Sequence, residues 1–235
     1  MIETFFTFSE IDKVTKVHQE FYRFEAAVVI DVLRATSTMI TALSNSASAI
    51  IPVSTINEAF ELKKTGFLIC GERKGLKPKG FDLGNSPLEF KEEVVNNRKI
   101  VLTTTNGTKA LLKAMILSDN VYIGAFLNIS ALVKEISHYK KIAIVCAGNN
   151  GKPSYEDTQL AGFIIKKLME KHSYELTDTS KIAYQLWNSL SKPDFTGSHA
   201  KKLIQLGFQK DVEFCKRTDL FKTIGKFDGN NVSKV

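Results

Sequence analysis

The stretch from Ala26 to Leu43 (AAVVIDVLRATSTMITAL) constrains the fold of this chain more than any other. Its first five residues form a short, valine-rich apolar run, typical of a strand buried on both faces. Asp31 ends that run, Arg34 follows, and the hydroxyl groups of residues 36–38 are candidate N-caps for a helix. A strand that passes into a helix here brings both charges to the carboxyl edge of a sheet, where open α/β folds bind ligands. The alternative is a surface Asp–Arg pair beside a helix cap.

The pattern of a strand followed by a helix recurs along the chain, because short apolar runs alternate with amphipathic stretches. The strands are predicted at residues 2–8, 26–30, 49–53, 66–70, 99–102, 121–125 and 141–146. After residue 154 the pattern becomes helical, at 156–171, 178–190, 199–206 and 211–215. We therefore predict an α/β fold, a three-layer α/β/α sandwich around a mainly parallel or mixed sheet, with a helical C-terminal third.

The domain prediction is one α/β domain over residues 1–224. The helices from about residue 155 either complete a layer of the sandwich or form a small cap. Residues 225–235 are polar, and we expect them to be a frayed tail.

Composition limits the partners. The formal net charge is +7, but the lysines are spread over several predicted helices and form no aromatic-studded stripe, which disfavours nucleic-acid binding. No apolar run approaches the roughly 20 residues that span a bilayer, and no signal-peptide pattern opens the chain. Three separated cysteines without a CxxC motif favour a reduced, cytoplasmic protein. The expected partner is a small anionic molecule, and a homodimer is left open.

Charged and small polar residues gather where the predicted strands end. They comprise Asp31 with Arg34, Glu72 with Arg73, the loop residues Asp82, Asn85 and Ser86, the turns at 103–108 and 147–151, and Glu156 with Asp157. Carboxylates from several strand ends suit Mg²⁺, and arginines grip phosphate or sulfonate oxygens with two hydrogen bonds. A Thr/Gly-rich turn that opens a helix offers N–H groups to an anion.

Each feature also has a structural alternative. Asp82 and Asn85 can fix a loop through Asx-turns, and Gly148 can serve turn geometry alone. Glu156 and Asp157 can be first-turn acids that face the helix dipole. The four histidines show no ligand spacing, so the sequence assigns them no role.

The nucleophile also has alternatives. An aspartyl nucleophile at Asp31 lacks its usual acid partner, since position 33 is leucine. A thiol mechanism at Cys146 lacks the phosphate-cradling arginine, since Lys152 stands at that offset. We therefore expect direct attack by a metal-bound or carboxylate-activated water.

Several uncommon motifs occur in one order, namely DVLRATST (31–38), GERKG with GFDLGNSP (71–75 and 80–87), TTNGT (104–108), GAFLN (124–128) and CAG with ED and AG (146–148, 156–157, 161–162). In these blocks the chain resembles the 2-phosphosulfolactate phosphatase family. The resemblance implies a Mg²⁺-dependent phosphatase that releases phosphate from 2-phospho-3-sulfolactate, a step of coenzyme M biosynthesis. Two alternatives stay open, a same-fold phosphatase for another small phosphorylated hydroxy acid and a non-catalytic binder of anionic metabolites.

Residues and resemblance together give three sets of site predictions. The catalytic set is Asp31, Arg34, Glu72 and Arg73. The substrate-binding set is Ser37, Asn85, Ser86, Thr105, Asn106, Gly107, Thr108 and Gly148. The candidate metal ligands are Asp31, Glu72, Asp82, Glu156 and Asp157.

Overall fold

The computed structural model describes residues 1–18 and 22–235. Within this part of the chain, nine strands form one sheet in the order β1-β7-β2-β6-β8-β9-β3-β5-β4. Their bounds are β1 Ile2–Phe5, β2 Ala26–Ile30, β3 Ala49–Pro52, β4 Leu68–Gly71, β5 Lys99–Thr103, β6 Val121–Gly124, β7 Ile142–Cys146, β8 Gly225–Phe227 and β9 Val232–Lys234. The predicted α/β class and mainly parallel sheet are confirmed.

Helices connect these strands and fill the C-terminal third. Their bounds are α1 Glu10–His18, α2 Ala35–Ser44, α3 Ile56–Lys63, α4 Glu92–Val95, α5 Gly107–Ala114, α6 Ile129–Ile136, α7 Tyr155–Met169, α8 Asp178–Asn188, α9 Ser198–Gln205 and α10 Gln209–Cys215. The sequence pattern predicts the first helix from Ser9 to about Glu20, and the end of this predicted helix lies outside the described residues. Among the described helices, none combines the length and the apolar character needed to cross a bilayer.

Strand β2 shows how the layers form, because its successive side chains enter different cores. Ala27 and Val29 belong to a core with α2 and α5, whereas Val28 and Ile30 belong to a core with α6, α7 and α8. All five residues of the strand are fully buried. Helices therefore cover both faces of the sheet, as the apolar run at 26–30 predicts.

The end of the chain is the main correction to the predicted fold. Residues 225–235 are not a frayed tail, because β8 pairs antiparallel with β6 and β9 pairs antiparallel with β3. The β8–β9 hairpin thus joins two parallel groups of strands. Phe227 and Val232 anchor the hairpin and are fully buried.

The hairpin also sets the strand directions. Three successive antiparallel pairings separate β6 from β3, so β3, β5 and β4 run opposite to β1, β7, β2 and β6. Sheet twist amounts to roughly 20–25° per strand, or on the order of 100° over the five steps from β2 to β5. A twist of this size is compatible with a cleft shared by loops after oppositely directed strands, such as those that carry Asp31 and Asn106.

The predicted cap of α2 is also wrong. The helix begins at Ala35, with Arg34 at the N-cap position and no side-chain cap. Thr36 and Thr38 lie inside the helix, where their side chains serve other contacts. The Thr36 hydroxyl accepts a hydrogen bond from the Asp31 N–H (3.1 Å), and the Thr38 hydroxyl donates to the Asn85 carbonyl (2.9 Å).

Candidate active site

A polar cleft lies where the loops after β2, β4, β5 and β7 meet helix α9. Seven of the predicted site residues line it, namely Asp31, Arg34, Glu72, Asn85, Thr105, Asn106 and Gly148. The structure adds Leu33, Lys74, Gly75, Asn149, Asn150, His199, Lys202 and Leu203. The strand-end junctions therefore do converge, as the sequence predicts, but the cleft is closed by a C-terminal helix that the sequence reasoning left without a role.

Asp31 lines the cleft and lies between the first residues of two helices, Ala35 of α2 and Gly107 of α5. The Ala35 N–H donates to its Oδ1 (3.4 Å), and Gly107, the first residue of α5, lies against its Oδ2. A Cβ at position 107 would lie 2.6 Å from Oδ2 and would collide with Ala35, so the close approach requires glycine. Burial and the nearby charge of Glu72 raise the pKa of Asp31 to about 7. The site therefore holds this carboxylate at an energetic cost.

Glu72 is the second carboxylate of the cleft, and backbone groups fix both of its oxygens. The Thr105 N–H donates to Oε1 and the Gly75 N–H donates to Oε2, each at 2.7 Å. The turn at 103–108 was predicted to offer its N–H groups to a bound anion. Its Thr105 N–H instead holds Glu72, and its Thr108 N–H is bonded to the Thr104 hydroxyl (3.1 Å). These two N–H groups are therefore bonded within the protein, while Thr105 and Asn106 of the same turn still line the cleft.

Asp157 is buried near Asp31 and does not line the cleft. Its Oδ1 accepts from the Val32 N–H (2.9 Å) and its Oδ2 from the Gly148 N–H (3.3 Å), which ties the loops after β2 and β7 together. Burial and the charge of Asp31 raise the pKa of Asp157 well above its ordinary value. Two acids in such proximity favour a bound proton or a bound cation.

Three buried polar atoms around the cleft have no hydrogen-bond partner in the described structure. They are Asn85 Oδ1, Thr105 Oγ1 and His199 Nδ1. Asn85 itself is only 4% exposed. Buried polar atoms are nearly always paired with protein, water or ligand, so these three are available to water or to a bound ligand.

Arg34 lines the cleft but is not free to grip a substrate with its guanidinium fork. Its Nη1 is paired with Asp211 Oδ2 (2.5 Å), and its Nη2 donates to the Gly75 carbonyl (2.7 Å). The guanidinium also lies 4.1 Å from the centre of the Phe208 ring. Ser86, predicted to bind substrate, donates to the same aspartate (2.7 Å) and lies outside the cleft lining. Both residues therefore anchor α10.

Three other predicted site residues make hydrogen bonds or ion pairs within the protein and do not line the cleft. Arg73 does not line the cleft, because its guanidinium donates to the Glu72 carbonyl and to Thr103 Oγ1. Asp82 is no candidate ligand here, because it pairs with Lys63 (2.7 Å) and accepts from a backbone N–H. Ser37 is fully buried and donates to the Val32 carbonyl (2.8 Å).

Glu156, a predicted metal ligand, faces helix α9 instead of the cleft. Its carboxylate packs against Gly197, where a Cβ would collide with it. Burial raises its pKa, and the backbone N–H groups of Gly197 and Ala200 act in the opposite direction. Its position at the N-terminal end of α9 favours this acid electrostatically. Glu156 therefore fixes the helix that carries His199.

Within the described residues, no three His, Cys, Asp or Glu side chains meet as a ready metal-binding group. Mg²⁺ does not require one, because it is commonly held by one or two carboxylates together with water and substrate oxygens. Asp31 and Glu72 supply two oxygen donors beside the unpartnered Asn85 and Thr105 oxygens. This donor set fits a hard cation.

Cys146 closes β7 but is fully buried and does not line the cleft. Burial, followed by the charges of Asp157 and Glu10, raises the pKa of its thiol well above the ordinary value. Since the thiolate is the nucleophilic form, this position is unsuited to nucleophilic attack.

The structure defines an α/β protein with two carboxylates in a strand-end cleft. A sequence model of the 2-phosphosulpholactate phosphatase family matches residues 11–230. The probable 2-phosphosulfolactate phosphatase of Thermotoga petrophila is 52% identical over 202 residues, covering 84% of this chain and 87% of the relative. Its counterpart in Caldicellulosiruptor saccharolyticus is 40% identical over 245 residues, covering 97% and 98%. The chain therefore belongs to the 2-phosphosulpholactate phosphatase family, which confirms the resemblance seen in the motifs.

Proposed function

We propose that this protein hydrolyses 2-phosphosulfolactate to sulfolactate and phosphate in a Mg²⁺-dependent reaction. The proposal depends on one observation above all. Asp31 and Glu72 both line the cleft and accept hydrogen bonds from backbone N–H groups, and burial together with the charge of Glu72 raises the pKa of Asp31. Acidic residues with perturbed pKa values in a cleft are typical of sites that bind a cation or catalyse a reaction.

Asp31 and Glu72 are the residues that would hold Mg²⁺, which supplies charge neutralisation and polarisation of the phosphoryl group when it is bound. The protein's own part is positioning. Thr105 and Asn85 line the cleft, each with a side-chain oxygen that has no partner within the described residues, and the Asn106 amide donates to the Gly148 carbonyl (3.2 Å). Phosphoryl transfer depends chiefly on such positioning and on charge stabilisation.

We infer that water attacks the phosphorus directly, without a phosphoenzyme. Cys146 is buried away from the cleft, and Asp31 lacks the usual acid partner of an aspartyl nucleophile, because position 33 is leucine. In this step the water oxygen forms a bond to phosphorus while the bond from phosphorus to the ester oxygen breaks. The water proton passes to a carboxylate of the cleft, and the leaving oxygen takes up a proton from that group or from solvent to become the hydroxyl group of sulfolactate.

A substrate panel tests the proposed function. Phosphate release from 2-phosphosulfolactate, 2-phospholactate, 3-phosphoglycerate and p-nitrophenyl phosphate is measured with Mg²⁺ and with EDTA. The expected result is highest kcat/KM for 2-phosphosulfolactate and loss of turnover in EDTA. Preference for another phosphorylated hydroxy acid would replace the substrate assignment, and binding without turnover of any ester would identify a metabolite-binding protein.

A further inference from the structure

The cleft contains two lysines that are not used by the interactions described so far. Lys74 and Lys202 both line it. Across residues 1–18 and 22–235, neither ammonium group has an ion-pair or hydrogen-bond partner. The two arginines expected to bind anions are, by contrast, bonded within the protein. The cationic groups that remain available to a ligand in this cleft are therefore lysines.

Lys74 occupies an unusual backbone position. Arg73 and Leu76 exchange backbone hydrogen bonds of 2.9 and 3.1 Å around a two-residue turn, and Lys74 and Gly75 both have positive φ, 56° and 91°. Such turns favour Asn, Asp or Gly at the first position, and a residue with a longer side chain is strained there. The same turn donates the Gly75 N–H to Glu72. Lys74 is thus fixed close in sequence and space to a cleft carboxylate.

Lys202 is placed by helix α9. It lies three residues after His199, so both side chains are on one face of the helix. His199 Nε2 donates to the Leu33 carbonyl (2.8 Å), which fixes α9 to the loop after β2 and leaves Nδ1 without a hydrogen. This Nδ1 is one of the unpartnered buried atoms of the cleft. The anchored histidine therefore sets the position from which Lys202 enters the cleft.

We propose that Lys74 and Lys202 form the subsite for the non-reacting anionic groups of the substrate and thereby select polyanionic phosphate esters over simple ones. This inference rests on the proposed function. The acids Asp31 and Glu72 would repel a carboxylate or sulfonate, whereas two unpaired ammonium groups attract one. Lysine serves here as a flexible point charge, which accommodates either a planar carboxylate or a tetrahedral sulfonate.

The test compares charge-removing variants on substrates that differ in charge. Lys202→Met keeps the aliphatic stem, and Lys74→Asn suits the positive φ of that turn. Lys201→Met is the matched control, because Lys201 is an exposed neighbour that does not line the cleft. For 2-phosphosulfolactate we expect kcat/KM to fall about 10- to 100-fold in each cleft variant, as for loss of a hydrogen bond to a charged group.

For p-nitrophenyl phosphate, which has no second anion, the same variants should change kcat/KM less than about threefold. Lys202→Arg should restore most of the lost activity, and Lys201→Met should match the parent on both substrates. Equal losses on both substrates, or no loss on either, would overturn the subsite assignment.

Sulfolactate binding to the parent and variants, measured by calorimetry in Mg²⁺, separates this inference from the proposed function. If the parent does not hydrolyse 2-phosphosulfolactate, the proposed function fails by itself. The lysine subsite then still predicts weaker sulfolactate binding in Lys202→Met and Lys74→Asn than in Lys201→Met. Equal sulfolactate affinity in all four proteins would refute it.

Discussion

Arg34 and Asp211 form an ion pair with 2.5 Å between Nη1 and Oδ2, and their side chains are 2% and 5% exposed. The pair links the loop after β2 to helix α10, and Ser86 bonds to the same carboxylate. Arg34 therefore lines the cleft, but its guanidinium group stabilises the packing of α10. Its effects on activity should be accompanied by effects on stability.

Removing one partner of this pair should destabilise the protein strongly. We expect Asp211→Ala to lower the free energy of unfolding by about 3–5 kcal/mol, because a buried guanidinium would be left without its counter-charge. Urea denaturation measures the change. The double variant Arg34→Met/Asp211→Leu should be less destabilised than the sum of the single variants. Single variants within about 0.5 kcal/mol of the parent would contradict this role.

The pKa of Asp31 predicts a pH dependence of stability in the absence of metal. Its native-state value of about 7 lies above its ordinary value of 3.8, so the folded protein retains a proton that the unfolded chain has lost. The free energy of unfolding should therefore fall as the pH rises from about 4 to 7. Between pH 5 and pH 8 this contribution is on the order of 2 kcal/mol.

The control for that prediction is Asp31→Asn, measured by urea denaturation in EDTA. The variant should lose less stability than the parent between pH 5 and pH 8, since it lacks the titrating carboxyl group. Parallel profiles for the two proteins would show that Asp31 titrates near its ordinary value in the native state.

Cys146 should be dispensable for chemistry. In Cys146→Ser the buried hydroxyl should lower stability by roughly 1–3 kcal/mol, while kcat stays near that of the parent. Phosphate release at a temperature where both proteins are folded is the measurement. A folded Cys146→Ser protein without turnover would instead identify the thiol as the nucleophile, and a phosphoenzyme trapped on Asp31 would exclude direct attack by water.

The C-terminal hairpin should be essential to the fold. Phe227→Ala removes a fully buried ring at the junction of the two strand groups, and we expect a loss of about 3–5 kcal/mol. Lys234→Ala is the control, since its side chain is exposed at the end of the hairpin. If thermal unfolding shows equal stability for Phe227→Ala and Lys234→Ala, the hairpin does not hold the sheet together.

Much of the fold could be predicted because local patterns specify it. The run at 26–30 is too short and too valine-rich for a buried helix, and the structure shows a strand there. The hairpin was missed because β8 and β9 contain only two strongly apolar anchors, and their pairing depends on β6 and β3. A signal was present, since Asp228 and Gly229 form a turn dipeptide between Phe227 and Val232.

The site was predicted less completely for a related reason. Asp31 and Glu72 could be predicted because each directly follows an apolar strand, and the carboxyl end of a strand is a local feature of the sequence. The partners of a charged group depend on distant segments, and no local pattern reveals that Asp211 neutralises Arg34. His199 contacts Leu33 across 166 residues of sequence, so its spacing from other histidines was uninformative.

The measurement that tests the central claim most directly is phosphate release from 2-phosphosulfolactate by the parent and by Glu72→Gln. We expect rapid release by the parent in Mg²⁺, none after complete chelation, and recovery when Mg²⁺ is restored. Glu72→Gln should remain folded by circular dichroism and lose at least about 100-fold in kcat/KM, because charge at the reacting centre stabilises the transition state. Undiminished release by the parent in EDTA, or by Glu72→Gln in Mg²⁺, would contradict this account of the cleft.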